Sequence, residues 1–374
     1  MNHRPIITLS VDESGMASIL ITLISMIVIG LVVIGFTQIA LHEQHAALNK
    51  VLSSQALYAA ESGVNDAQHI IDANIQANTP IPAKTSCNSD SNYPTTPTLN
   101  AQYNVRYTCL LVDPQPLSLV YSTISTDQAK IIQVQSLNTN GNYNIQNLVI
   151  SWENTILPSS SSNFSCNNGY SPSTPSFPPN NNWNCSAGVL RMDIVPFNFN
   201  ASNPAASDKV IYLYPTVGSG SNSYGKVDYT SINTGSVVAG QCDSSNTAVA
   251  MPNMCNIVIT NLNSDADGGY FLRMEAIYSD QALTITAPTG QSSIQCTSSS
   301  ASCGFYNLIN DQVLVDSTGQ AQDVLKRIQA RVPINPLDSN IVPDEAVQST
   351  NSICKKFFVT ANGSVSDVPS PPQC

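Results

Sequence analysis

The chain has 374 residues, with 25 Asp or Glu against 14 Lys or Arg and a formal net charge of −11. The few cations are scattered, so nucleic-acid binding has no electrostatic footing. Charged residues are only 10 % of the chain, and Ser, Thr and Asn supply the polarity instead, which suits an exported β-rich protein better than a cytosolic enzyme.

The first element is a helix. No Asp, Glu, Lys or Arg occurs between Glu13 and Glu43, and Ile19–Phe36 is almost continuously apolar. About 20 such residues cross the hydrocarbon core of a bilayer, so this run predicts one membrane span. It is too long for the apolar core of a secretory signal, and no Ala-x-Ala site closes it. From Leu41 to Gln76 there is no Pro and one Gly, and helix formers dominate. Leu48, Leu52, Ala56, Ala59, Ala60, Gly63, Ala67, Ile70 and Ile71 recur at helical spacing. One rod therefore spans membrane and exterior, about 90 Å long at about 1.5 Å per residue. Ala56, Ala59, Ala60 and Gly63, with Glu61 among them, mark where another helix can approach closely. Pro80 and Pro82 are expected to stop the rod.

After Ala83 the period changes to two. Tyr103 to Leu111, Leu148 to Trp152, Leu190 to Ile194, Leu272 to Tyr278 and Ile328 to Val332 alternate apolar with polar residues. These read as half-buried antiparallel strands. Ile131–Val134, Val210–Tyr214, Ile257–Thr260, Leu283–Thr286 and Phe357–Thr360 are further candidates. Asn140-Gly141 and Asn362-Gly363 are turn signals. Lys326-Arg327 and Arg331 read as the solvent face of a strand. The expected class is α+β: a long amino-terminal helix, then an antiparallel, β-sandwich-like, disulfide-bonded exported domain. We expect helix in the membrane over 16–41, amphipathic helix over 42–79, and a first β-rich region over 80–157. A Ser/Pro/Asn-rich loop or linker over 158–184 and the main domain over 185–374 complete the chain.

All ten cysteines follow the apolar run. Close and distant spacings alternate, which favours five local pairs: Cys87–Cys109, Cys166–Cys185, Cys242–Cys255, Cys296–Cys303 and Cys354–Cys374. An oxidising compartment follows. There is no Cys-x-x-Cys for zinc. Asn263, Asp265 and Asp267 have the opening spacing of a calcium loop, but Met274 stands where the twelfth-position carboxylate belongs. The plainer reading is a solvated turn, and no cofactor is expected. The four histidines are His3, His42, His45 and His69, so the outer domain has no imidazole to activate a nucleophile. With no phosphate loop either, the chain reads as a non-enzyme. Trp152 and Trp183 are expected in the core, or else on an adhesive face.

Gly15-Met16-Ala-Ser-Ile-Leu, the long apolar helix, and Gln55-Ala-Leu-Tyr-Ala-Ala-Glu-Ser-Gly63 together resemble the amino terminus of PilX-like minor pilins of type IV pili. The resemblance covers about residues 1–75. It implies a leader over 1–15, cut between Gly15 and Met16 by a prepilin peptidase. It implies a helix that waits in the inner membrane and is then extracted to pack against other pilins. The head would be extracellular, at the pilus or cell surface, free to meet a host-cell or surface ligand. Cys354–Cys374 would match the closing disulfide loop of such heads. Bulk pilins carry Glu at the fifth mature position; here that position is Leu20. This departure favours a tip or priming subunit over a bulk one. The alternatives are a permanently anchored surface binding protein, or a minor pseudopilin of a type II secretion system.

Overall fold

The computed structural model describes residues 14–88, 90–94, 98–101, 104–126, 128–137, 145–155, 166, 182–197, 209–217, 225–233, 235–242, 255–262, 269–289, 304–334, 358–359 and 365–366. Helix α1 runs unbroken over Ser14–Gln76, 63 residues, which is about 95 Å. It ends before the prolines. Asn78 takes the left-handed conformation (φ 52°), Thr79 N donates to Asn74 O and Asn78 N to Ile75 O. That is an αL cap of the Schellman kind, which satisfies the last carbonyls before Pro80 arrives.

The strands, in chain order, begin with β1 (Thr98–Asn100), β2 (Val105–Asp113), β3 (Ser118–Ile124), β4 (Lys130–Leu137) and β5 (Leu148–Asn154). There follow β6 (Val189–Pro196), β7 (Lys209–Val217), β8 (Gly225–Asp228), β9 (Ser236–Cys242), β10 (Cys255–Thr260) and β11 (Gly269–Ile277). The last are β12 (Gln281–Thr286), β13 (Asn307–Ile309), β14 (Gln312–Ala321), β15 (Val324–Pro333), β16 (Phe358–Val359) and β17 (Val365–Ser366). Every strand read from alternation is present. Most pairs are antiparallel, but β8 lies parallel to β10 and β7 parallel to β9. Strand β10 is buried at all six residues. Its run Ile-Val-Ile shows no alternation because neither face meets water.

Among the described residues three sheets form: β1-β2-β14-β15, the small β16-β17 pair, and one of eleven strands. The order of the large one is β13-β4-β11-β6-β7-β9-β10-β5-β12-β3, with β8 also on β10. Its ends come together, since Leu308 N within β13 donates to Pro116 O just before β3 (2.9 Å). The class is α+β, as expected. The β-sandwich is not confirmed, because this sheet curls toward a barrel instead of dividing into two bonded layers. Strands β5 and β6, which flank the Ser/Pro/Asn-rich stretch in sequence, belong to the same sheet.

The chain forms two compact units, each discontinuous in sequence. One comprises Met1–Ile70, Lys84–Leu111 and Val315–Ala330; the other comprises Ile71–Ala83, Val112–Leu314 and Arg331–Cys374. Strand pairing between residues far apart in the chain makes each unit discontinuous. The core of the second unit gathers Trp152, Leu190, Met192, Ile194, Ile257, Tyr270, Leu272, Leu283 and their neighbours, all nearly or fully buried. Each large side chain buried this way contributes about 1.5–3 kcal/mol.

Disulfides Cys87–Cys109, Cys166–Cys185 and Cys242–Cys255 are formed, as the spacing favoured. The last joins registered neighbours on β9 and β10. Loops of this size stabilise by about 3 kcal/mol each, chiefly by restricting the unfolded chain. Cys296, Cys303, Cys354 and Cys374 lie outside the described residues, as do Asn263, Asp265, Asp267 and Asn140-Gly141.

Candidate functional site

The long helix has two different halves. From Ile19 to Leu41 its large apolar side chains are exposed, with Met26 at 77 % and Phe36 at 69 %. The most apolar window has a mean hydropathy of 3.0, and none of it is buried. The few hydroxyls in this half are satisfied within the helix: Thr22 Oγ1 donates to Ile19 O, Ser25 Oγ to Ile21 O, and Thr37 Oγ1 to Val33 O. No backbone or hydroxyl group here asks for water, the condition for lying in a bilayer. This half is compatible with single-pass membrane anchoring.

The other half is seated on a sheet of its own chain. Leu52, Ala56, Ala59, Ala60, Gly63 and Ala67 are buried. Leu52, Ala56 and Ala59 cluster with Val105 on β2, Ala321 on β14 and Val324 on β15. A Cβ on Gly319 of β14 would run into the Ala56 carbonyl oxygen, the Ala60 amide nitrogen and the Ala59 carbonyl carbon. A Cβ on Gly63 would meet Ser317 Oγ and Tyr107 Cγ. The small residues singled out for helix packing thus lie against β14 and β2. Small side chains let backbones approach whether the neighbour is a helix or a strand, and their spacing alone does not say which. Glu61 is exposed and takes no part in this seat.

One buried polar contact pins the seat. The Tyr107 hydroxyl donates to Asp66 Oδ2 at 2.9 Å, and Tyr107 is fully buried. Burial, then the Asp66 carboxylate, push the Tyr107 phenol well above its ordinary value. Tyr93 is pushed up to about 12, by burial and then by Asp90. Both pKa values are raised in the folded state, so the neutral phenols stabilise it at any pH below about 10. That stability is lost as pH rises through the folded values. In an alkaline titration followed by phenolate absorbance, Tyr93 and Tyr107 should ionise late and together with unfolding. Asp66→Asn should bring one of them back toward the ordinary range. A single transition for all tyrosines near pH 10 would contradict this packing.

Several other described charges are paired. On β6 and β11, Asp193 accepts from Arg191 Nε (3.2 Å) and Arg273 Nη1 (3.0 Å), and Glu275 accepts from Arg191 Nη1 (3.4 Å). The strand register sets these groups side by side, Arg273 opposite Asp193 and Glu275 opposite Arg191. This self-neutralised cross-strand lattice leaves no charge for chemistry. On β15, Arg327 pairs with Asp316 and Lys326 is exposed, in keeping with a solvent-facing strand, whereas Arg331 is half-buried and its Nη2 donates to Ser118 Oγ (3.2 Å). Among the described residues no three His, Cys, Asp or Glu side chains converge as a metal site. His42, His45 and His69 are exposed along the helix.

No family model, curated protein or solved structure matches the chain. The amino-terminal resemblance therefore stands on its own residues. Gly15 and Met16 lie in the first turn of α1.

Sequence reading missed Gly319 and Ser317, the strand side of the seat. The available signal was a Gly inside a strand, which often marks a close backbone approach. It also missed a second aromatic cluster. Trp152 is core, fully buried, with Nε1 donating to Gly188 O (3.1 Å). Trp183 is only half-buried and stacks on Tyr278.

Proposed function

We propose that the chain is a minor subunit of a type IV pilus, at the tip or in the priming complex, with a structural and non-catalytic role. The observation that carries this reading is the division of one unbroken helix into a bare apolar half and a half seated on a sheet of its own chain. A bare apolar helix exchanges lipid for other apolar helices at little cost, because both environments are equally free of water. The seated half keeps the rod rigid and attached to its head while that exchange happens. The Gly15-Met16 junction and the Ala59-Ala60-Glu61-Ser62-Gly63 segment add the PilX-like signature.

In this reading a prepilin peptidase removes residues 1–15 at the inner membrane. The head then stands outside the cell. The helix packs with other pilins, and the head is available for contact with a host cell or surface. Leu20 leaves no carboxylate to pair with the amino terminus of a neighbouring subunit, so this subunit has no need of one packed beyond its helix start. The same Leu20 supports a second reading, a permanently anchored surface binding protein.

The test is the mature amino terminus, read by mass spectrometry in membranes and in sheared filaments. A chain starting at N-methylated Met16 in the filaments is expected. An intact Met1 confined to membranes would replace the pilus reading with the anchored one. A processed chain found only with a secretion apparatus would make it a pseudopilin.

A further inference from the structure

One end of the eleven-stranded sheet collects features that the helix does not use. The registers place seven strand ends there. Asn154 pairs with Gln281, Trp152 with Cys255, Cys255 with Cys242, Val217 with Cys242, and Val189 with Ile277, while Leu190 pairs with Leu213. Disulfides Cys166–Cys185 and Cys242–Cys255 both sit at this end, with Cys166 Sγ beside Pro215 O.

A half-exposed aromatic cluster stands among these ends. The Trp183 ring lies parallel to Tyr278 at 4.1 Å (8°) and edge-on to Tyr214 at 5.7 Å (88°). Trp183 is fixed by its Nε1 bond to Ala187 O (3.2 Å). Tyr278 holds φ at 78°, a conformation bulky residues rarely adopt. Strain of this kind persists only where the surroundings hold the residue in place, and it clusters at binding sites. In the same turns Asn154 Nδ2 donates to Ser279 Oγ (3.3 Å), and buried Gln281 Oε1 has no donor, so hydrogen-bonding capacity goes unused.

The connections leaving this end share a composition. Residues 155–188 contain no Asp, Glu, Lys, Arg or His, and neither do residues 218–224. Residues 243–254 and 278–280 carry one Asp each and no cation. Ser, Asn, Thr, Pro and Gly predominate, with Phe164, Tyr170, Phe177 and Tyr224 interspersed. Rigid aromatic rings among small hydroxyl and amide side chains form a composition typical of recognition loops. Protein surfaces carry charges that must be matched or desolvated on binding, whereas these connecting residues carry two carboxylates and no cation. A neutral sugar needs aromatic faces for its C–H surfaces and uncharged donors and acceptors for its hydroxyls.

We propose that this end of the sheet binds an uncharged glycan, with the Trp183–Tyr278 pair as its stacking platform. The proposal goes beyond the pilus reading and holds equally for a permanently anchored chain.

The test uses the full chain in a zwitterionic, sugar-free detergent. Maltohexaose, cellohexaose and chitohexaose are titrated, with an oligogalacturonate as the charged comparison. Only two tryptophans contribute emission, and Trp152 is sealed in the core, so a change reports on Trp183. The expected result is a saturable change with at least one neutral hexasaccharide and a weaker one with oligogalacturonate. Trp183→Ala, which removes the reporter and is therefore followed by isothermal titration calorimetry beside the wild type, should weaken binding by about tenfold or more, as removing a central aromatic anchor does. Tyr278→Gly should do the same while keeping the fold, because glycine adopts φ 78° freely. No saturation with any neutral probe overturns the proposal. So does tighter binding of the charged probe, or undiminished binding by Tyr278→Gly at an unchanged melting temperature.

Discussion

Gly319→Ala is expected to unseat the long helix from β14. The added methyl would occupy space held by the Ala56 carbonyl oxygen and the Ala60 amide nitrogen. These are backbone atoms of a continuous helix, so no side chain can rotate away. Overpacking of this kind costs about 1–3 kcal/mol, and a rigid neighbour places the effect at the upper end. The contrast is Gly30→Ala, in the bare half of the same helix, where no atom lies within 4 Å of the added Cβ. That change should be neutral or slightly favourable, since Ala exceeds Gly in helix propensity by about 1 kcal/mol. Thermal unfolding in detergent, with proteolysis of the 42–76 segment as a local probe, compares the two. Faster cleavage and a lower melting temperature for Gly319→Ala alone would support the seat. Equal behaviour of the two variants would mean that the helix is not held there.

Trp152→Ala is expected to have the largest effect on the second unit. The indole is completely buried, donates to Gly188 O and lies against Gly240, where a Cβ would strike its ring. Removing it opens a large cavity and leaves a buried carbonyl without its donor. The cavity costs about 3–5 kcal/mol, and the lost hydrogen bond adds about 1 kcal/mol or more. For a unit of this size each kcal/mol lowers the melting temperature by about 2–4 °C, so a fall of about 10 °C or more is expected with the disulfides intact. A fall of less than about 2 °C would show that Trp152 is not the centre of this core. Trp183→Ala should cost much less stability, because its ring is already partly in water. The two tryptophans thus separate core from platform.

Much of this architecture was legible because it depends on local periodicity. The apolar run declares a helix through composition alone, and the 3.6-residue recurrence continues it to Gln76. Strands β2, β5, β6, β11 and β15 announce themselves by period-two alternation, since one face of each meets the interior. Strands β1, β3, β8, β9, β13, β14 and β17 were not read. In β14, Asp316-Ser317-Thr318-Gly319-Gln320 looks like a loop, yet Ser317 and Asp316 are buried and Gly319 is pressed against α1. Arg327 of the next strand covers Asp316, while the Ser317 hydroxyl is buried beneath the helix with no hydrogen-bond partner. No window of neighbouring residues contains that information.

By itself, the sequence determined the helix, its apolar and amphipathic halves, most strands and three of the disulfides. Each follows from properties of residues close together in the chain: transfer free energy, periodicity and loop length. Only the tertiary structure decided that the strands curl into one near-barrel, and that β5 and β6 on either side of the Ser/Pro/Asn-rich stretch share one sheet. Only the tertiary structure decided that the Ala/Gly stripe seats on β14 and that Trp183 meets Tyr278. These depend on which surfaces find each other across hundreds of residues, and that choice is made by complementarity of shape and of unsatisfied polar groups.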